Sequence, residues 1–287
     1  MTFFSFYIMI EIGKYHTLEV VKRVDFGLYL DGGEEVGEIL LPTRYVPANC
    51  EPGDFLEVFI YLDNDERLIA TTQKPYAQVG DFACLEVVSV ERPGTFLDWG
   101  LMKNVFLPFG EQKKALKPGD KAIVYLYVDE KSHRITASEK IEKFTDKEIP
   151  DLTEGSEVDL LIYQKTDLGY KAVINNRYVG LIYDNEVFQS IRIGQKTKGF
   201  VKQIREDFKI DLSLSKTGPE KIADFADVLL DALHRNDGFL PLTDKSDAET
   251  IYKMMQMSKK NFKKAVGNLY KKRIISIEDE GIRIVGS

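Results

Sequence analysis

Residues 18–33 read LEVVKRVDFGLYLDGG and residues 85–100 read LEVVSVERPGTFLDWG; laid side by side at an offset of 67, eight of sixteen positions are identical. The agreement runs on in order. Pro52-Gly53-Asp54 answers Pro118-Gly119-Asp120, Tyr61-Leu62-Asp63 answers Tyr127-Val128-Asp129, and Arg67-Leu68 answers Arg134-Ile135. Ordered matches over such a span mark a duplication, and that period confines each copy to one small supersecondary unit. A third, weaker copy covers about residues 152–215. It has Gly155 ahead of an apolar run ending in Leu168-Gly169-Tyr170, then Tyr178-Val179-Gly180-Leu181-Ile182-Tyr183, Ile193-Gly194-Gln195 and a closing Lys209-Ile210-Asp211-Leu212-Ser213.

Val, Ile, Tyr and Phe fill the runs of each copy, and Gly, Asp and Asn fill the breaks, as strands and hairpins require. Five short strands in about 65 residues suit the OB-fold, which curls a sheet closed and so protects most of its edges. Linkers are expected at Lys74 to Gly80, with Pro75, at 143–153, with Pro150, and at Ser215 to Glu220, with Gly218-Pro219. The expected order is barrel one over 1–76, barrel two over 77–145, barrel three over 146–217 and a different domain over 218–287.

After Pro219 the pattern turns helical. Ile222, Phe225, Ala226, Leu229, Leu230 and Leu233 recur at three- and four-residue spacings, the stripe of an amphipathic helix. Phe239-Leu240-Pro241-Leu242 reads as a short extended piece. Ser246 with Glu249 three residues on predicts a capping box for a helix over 247–256. Ser258 predicts the cap of a third helix burying Phe262, Val266, Leu269 and Tyr270. Ile274-Ile275-Ser276-Ile277 then pairs with Ile282-Arg283-Ile284-Val285 across Asp279-Glu280-Gly281. Helix, short strand, two helices and a hairpin is the order of a winged helix, a relative of the helix-turn-helix. The expected fold class is therefore mainly β with a C-terminal α+β domain: three tandem five-stranded OB-fold barrels followed by a winged helix.

Composition narrows the chemistry. The two cysteines, Cys50 and Cys84, build neither a disulfide framework nor a four-thiolate zinc site, and His16, His133 and His234 lie too far apart to suggest ligand spacing. The apolar opening Thr2 to Ile10 has no basic residue and ends at Glu11, unlike a signal peptide, and no run is long enough for a membrane helix. Residues 1–10 are read as an N-terminal extension, with Met9 an alternative start, and the chain as cytoplasmic and reduced. No Gly-rich phosphate loop with a Lys, no recurring acid pair at metal spacing and no nucleophile triad is present, so a non-catalytic protein without metal or cofactor is expected.

The net charge of −7 argues against coating duplex DNA by bulk charge. Essentially all of that excess falls in residues 1–76, while residues 258–273 hold seven basic groups (Lys259, Lys260, Lys263, Lys264, Lys271, Lys272 and Arg273) and no acid. A lysine run is usually a solvated face; one so free of acids favours phosphate contact.

Each copy resembles the RNA-binding domain named after ribosomal protein S1, whose pattern is a Phe-Gly-x-aromatic strand, a Gly-Leu-x-His strand and a closing Asp…Arg-Ile…Ser hairpin. Three such modules followed by a winged helix are similar to the conserved virulence factor B family of bacteria, over about residues 11–285. That resemblance implies RNA binding and an influence on gene expression, including virulence genes. Its site positions carry over residue by residue. In barrel one Phe26 and Tyr29 fit the aromatic strand, and Leu40 stands at the histidine position. In barrel two Pro93 replaces the first aromatic, Phe96 keeps the second and Phe106 stands at the histidine position. In barrel three Leu168 and Lys171 replace both aromatics, and Tyr183 takes the histidine position. No barrel has the full set, which favours a composite surface.

Exposed rings suit unpaired bases, which stack for about 1–3 kcal/mol each with little regard to sequence. An alternating ring on a strand can equally be core. Trp99, in a turn of barrel two, is a candidate stacking ring or a local packing cap. The expected function is non-catalytic binding of single-stranded or unstructured RNA by the barrels and the basic helix, in post-transcriptional regulation. The alternative is an adaptor on a protein of the transcription, translation or RNA-decay machinery. A winged-helix DNA regulator ranks third, because Glu278, Asp279 and Glu280 in the wing would face phosphates.

Overall fold

The computed structural model describes residues 9–285 except 149, 185–186, 188–189, 216–218 and 256, with backbone alone at 219–224. Most of the N-terminal extension and the turn before Pro219 therefore lie outside the described residues, as does the side chain of Ile222.

Three closed five-stranded barrels are present. The first is built from β1 (Lys14–Val24), β2 (Gly27–Asp31), β3 (Glu38–Pro42), β4 (Phe55–Leu62) and β5 (Leu68–Thr71), with a helical turn α1 (Gly33–Val36) between β2 and β3. Its strand order is β1-β2-β3-β5-β4, closed by antiparallel pairing of β1 with β4 and parallel pairing of β3 with β5. The second repeats that order with β6 (Phe82–Glu91), β7 (Gly94–Asp98), β8 (Val105–Pro108), β9 (Lys121–Val128) and β10 (Ile135–Ser138). The third uses β11 (Glu157–Thr166), β12 (Gly169–Ile174), β13 (Tyr178–Tyr183), β14 (Lys196–Ile204) and β15 (Ile210–Ser213).

Two local devices recur. The first strand of each barrel is bulged against the second, between Val20 and Lys22, Val87 and Ser89, and Ile162 and Gln164. An extra residue there bends the strand and raises its twist, which a small barrel needs in order to close. The glycine opening the second strand meets the carbonyl of the third. A Cβ on Gly27 would lie 2.1 Å from the Leu41 oxygen, on Gly94 2.5 Å from that of Leu107, and on Gly169 2.0 Å from that of Ile182. No side chain fits there, so this glycine of the repeat is a steric requirement.

Barrel one has its own core around Leu18, Leu28, Leu30, Leu41 and Ile60, and a second face of it packs into the core of barrel two. Phe59 of β4 meets Trp99 edge to face at 5.5 Å, and one buried cluster joins Phe59, Tyr61 and Ile69 to Leu85, Leu97, Leu107 and Leu126. The segment between the barrels is folded into this cluster: Ala77 is buried, Tyr76 N–H donates to the Trp99 carbonyl at 2.8 Å, and Val79 N–H donates to that of Gly13 at 3.0 Å. The Lys74 to Gly80 stretch is thus a structural joint.

The chain separates into two compact units, residues 1–145 and 146–287. In the second, barrel three has its own core around Leu160, Ile162, Ile174, Ile182 and Leu212. The C-terminal part holds α2 (Pro219–Arg235), β16 (Phe239–Leu240), α3 (Ala248–Met255), α4 (Lys259–Lys271), β17 (Ile275–Glu278) and β18 (Gly281–Ile284). Its sheet order is β16-β18-β17 and its core joins Leu229, Leu233, Ile251, Phe262, Leu269 and Ile282. Of the stripe expected to be buried in α4, Tyr270 is instead 55% exposed, and Ala265 takes its place in the core. The cap of α3 also differs from expectation. Asp247 accepts from Thr250 N–H at 2.9 Å, whereas Ser246 Oγ accepts from Thr243 N–H, closing the preceding turn. The carboxylate one place nearer the helix takes the orphan amide, and its hydrogen bonds from Thr250 hold it below its ordinary pKa.

The shared core gives a test. The chain's single tryptophan sits in barrel two, so its emission reports unfolding of that barrel, while Phe59→Ala is a change in barrel one. The variant should destabilise the Trp99-detected transition in urea by about 3–5 kcal/mol; a transition that does not move would mean that the barrels unfold separately.

Candidate nucleic-acid interface

The aromatics of the repeat lie on the outer side of β2–β3 and its equivalents, opposite side chains that fill the barrels. In barrel one Phe26 is 56% exposed and meets half-buried Tyr29 edge to face at 6.3 Å. The Tyr29 ring is covered by Lys22 Nζ at 4.8 Å, and Lys22 is itself paired with Glu38 at 2.5 Å. With Glu34 and Glu35 exposed nearby in α1, this face carries rings under a neutralised cation.

In barrel two Phe96 and Phe106 are cross-strand partners, half-buried, with centroids 5.5 Å apart. Among the described residues no cation lies over either ring. They open on a cleft of about 270 Å³, lined on the barrel-one side by Tyr61, Leu62, Asn64 and Glu66 and on the barrel-two side also by Lys103 and Asn104. Arg134 stands at its edge and pairs with Glu66 across the two barrels. Lys103 Nζ donates to the Asp63 carbonyl at 2.6 Å; burial pushes this ammonium down from its ordinary pKa, opposed by the Asp63 charge. Burial, with Tyr45 as the next cause, pushes the Tyr61 hydroxyl up to about 12, so it stays protonated.

Trp99 is the correction in this barrel. It is only 2% exposed and donates Nε1–H to the Lys103 carbonyl at 2.7 Å. Its ring is packed against Phe59, so it caps the inter-barrel core and offers no open face for stacking.

In barrel three strand register revises another expectation. Gly169 pairs with Tyr183, as Gly27 pairs with Pro42 and Gly94 with Pro108. By register Leu181, opposite Lys171, is the equivalent of Leu40 and Phe106, and Tyr183 stands two residues beyond, in the place of the prolines. Tyr183 is also engaged: its hydroxyl accepts from Arg205, whose guanidinium lies 5.8 Å from the ring and is held by Asp211 at 3.0 Å. The Asp211 hydrogen bond raises the Arg205 pKa further. Leu168, at the first aromatic position, is 63% exposed.

The lysines are positioned by α4. Ser258 caps it, accepting from Asn261 N–H at 3.2 Å, and Phe262, Ala265, Val266 and Leu269 bury one face. Lys260, Lys263, Lys264 and Lys271 are exposed on the opposite face, as are Lys272 and Arg273 beyond the helix end, while Lys259 is half-buried. Lys263 lies 3.9 Å from Asp244, and Lys259 donates to the Lys245 carbonyl. Lys260, Lys264, Lys271, Lys272 and Arg273 have no ion pair among the described residues. The first turn holds Lys259 and Lys260 and no acid, so cations sit at the positive end of the helix dipole, where they destabilise it. Gly267 lies amid the lysine face with nothing within 4 Å of where its Cβ would be. Glu278, Asp279 and Glu280 are exposed at the hairpin tip, Glu278 paired with Arg283 at 3.1 Å.

Three barrels with this strand order, two of them carrying the outer rings, followed by a winged helix, define a tandem nucleic-acid-binding protein of the S1 and winged-helix classes. The S1 domain model matches residues 12–73 and 79–139, and the model described as CvfB-like winged helix domain matches residues 227–284. The chain is 32% identical to YitL of Bacillus subtilis (strain 168) over 272 residues, 90% of this chain and 89% of that protein. It is 27% identical to conserved virulence factor B of Staphylococcus aureus over 276 residues, 93% and 92% of the two chains. It belongs to the conserved virulence factor B family. A crystal structure of a multidomain protein with nucleic acid binding domains from Streptococcus pneumoniae TIGR4 covers 96% of this chain and 98% of its own, at 24% identity and a TM-score of 0.43.

Sequence reasoning missed Tyr61 at the end of β4 and Asn64, Glu66, Lys103 and Asn104 in turns and loops, which meet only when two barrels pack. The alignment of Arg67 with Arg134 was a signal, since it put a cation in the same closing hairpin twice. For the helix, Ser258→Ala should cost about 1 kcal/mol, whereas Gly267→Ala should add about 0.5–1 kcal/mol. Thermal unfolding followed by circular dichroism measures both.

Proposed function

We propose that the protein is a non-catalytic RNA-binding protein that holds single-stranded or unstructured RNA and acts in the cytoplasm as a post-transcriptional regulator of gene expression. The modules on this reading are 1–76, 77–145 and 146–217 for the barrels and 218–287 for the winged helix. The observation that carries it is the α4 lysine face: Lys260, Lys264 and Lys271 are exposed with no ion pair among the described residues, and Lys260, in the first turn, stands at the positive end of the helix dipole, which disfavours it. A charge arrangement that costs stability is accounted for by an anion that neutralises it. The acidic hairpin tip of the same domain favours an unpaired strand, which can bend away from Glu278, Asp279 and Glu280, over a rigid duplex. The open ring pair of barrel two supports the same reading, because it offers stacking that needs no duplex.

Exposed Glu34, Glu35 and Glu38 on barrel one favour a second reading, an adaptor that docks a basic protein of the transcription, translation or RNA-decay machinery. Recovery of protein partners from lysate with and without nuclease separates the two: a partner that persists after RNA is destroyed supports the adaptor.

Charge reversal at Lys260, Lys263, Lys264 and Lys271 together should weaken binding to an unstructured RNA oligonucleotide at least several-fold. It should also flatten the dependence of log affinity on log salt by about 0.7 for each phosphate that the helix no longer neutralises. Fluorescence anisotropy across a salt series measures both. An unchanged affinity and slope would remove the helix from the reading.

A further inference from the structure

We propose that the cleft between barrels one and two is a pocket for one unpaired nucleobase, and that the acidic first barrel supplies the wall that closes it and the acid that gates it. This rests on the RNA reading above and goes further, in naming the occupant and giving barrel one a part in holding it.

A nucleotide in a single strand presents a flat ring, a polar edge and a phosphate. The cleft offers a counterpart to each. Phe96 and Phe106 line it as half-buried rings with no cation over them among the described residues, and Tyr61 of barrel one lines it too. Asn64 of barrel one and Asn104 of barrel two both line it, and neither side chain has a hydrogen bond among the described residues. A carboxamide presents a donor and an acceptor side by side, the pairing that reads a base edge. Arg134 supplies the cation for a phosphate, and it is paired with Glu66 from the opposite barrel.

That pair sets the sign of the effect. Glu66 and Arg134 are half exposed, with side-chain accessibilities of 49% and 55%, and such pairs add little stability. Glu66 instead competes with phosphate for Arg134 and repels the incoming strand. Taking its charge away should therefore strengthen RNA binding, the opposite of what a folding defect does. The aromatic faces and the amides act the other way, so their removal should weaken it. Occupation of the cleft also places a base beside the wall that Trp99 contributes, which makes the single tryptophan a reporter.

The experiment uses the full chain and ten-nucleotide homopolymers of A, C and U, with anisotropy for affinity and Trp99 emission for occupation of the cleft. Glu66→Gln should tighten binding roughly two- to five-fold and steepen the salt dependence by about 0.7. Asn64→Ala with Asn104→Ala should loosen binding several-fold and reduce the spread among the three oligonucleotides. Wild-type Trp99 emission should change on titration. The proposal is overturned if wild-type protein binds RNA but Trp99 emission stays constant, Glu66→Gln binds no tighter and the asparagine variant keeps affinity and ranking; the lysine-face reading then survives. If wild-type protein binds none of the oligonucleotides, both readings fall together.

Discussion

The backbone approach between the second and third strands of each barrel sets the rest of the structure. Where Gly27 meets the Leu41 carbonyl, Gly94 that of Leu107 and Gly169 that of Ile182, a Cβ would sit within 2.5 Å of an oxygen. Strands brought that close fix their register, and a register fixed at one point decides which side chains face outward along both strands. The bulge in the preceding strand supplies the curvature that lets the sheet close. Because the duplication carried both devices, all three barrels present the same outer strip, and their differences reduce to which side chains stand on it.

Those differences grade the barrels. On barrel one the strip holds Phe26 and Tyr29, with Lys22 already over the Tyr29 ring and tied to Glu38. On barrel three Tyr183 is tied to Arg205 and Asp211. On barrel two Phe96 and Phe106 meet each other beside a cleft, with no cation over either ring among the described residues. A ring covered by a paired cation must release it before a base can stack there, whereas an uncovered ring need not. On the proposed reading barrel one thus contributes less as a platform than through what it packs against barrel two.

The barrels were legible in the sequence because their constraint is local: a glycine that must be glycine, apolar alternation and repeated turns. The winged helix was legible from its stripe spacing and caps, although Ser246 and Asp247 compete for one amide and only geometry decides between them. Site residues read less well. Trp99 looked like a turn residue because its partner, Phe59, is forty positions earlier and belongs to another copy. Tyr183 looked like a histidine equivalent because Gly180-Leu181 imitates the motif, while the register anchored at Gly169 places Leu181 there instead. In each case the deciding contact crosses strands or copies, where spacing along the chain carries no information.

The charge of the chain also follows from this division. A basic first barrel would hold phosphate without discrimination, and its affinity would come mostly from released counterions. An acidic one facing the open rings of barrel two would suppress that background, so on the proposed reading a strand gains there chiefly by placing a base where stacking and edge contacts reward it. The opposite choice is made at α4, whose exposed lysines, most of them without an ion pair among the described residues, would attract any polyanion. Two weak sites of different character on one chain add through effective concentration rather than through strength. On the proposed reading a lysine face supplies encounter and salt-dependent affinity, and an aromatic cleft supplies selection among bases. Separating these tasks would let an overall acidic protein bind an acidic polymer without binding every acidic polymer alike.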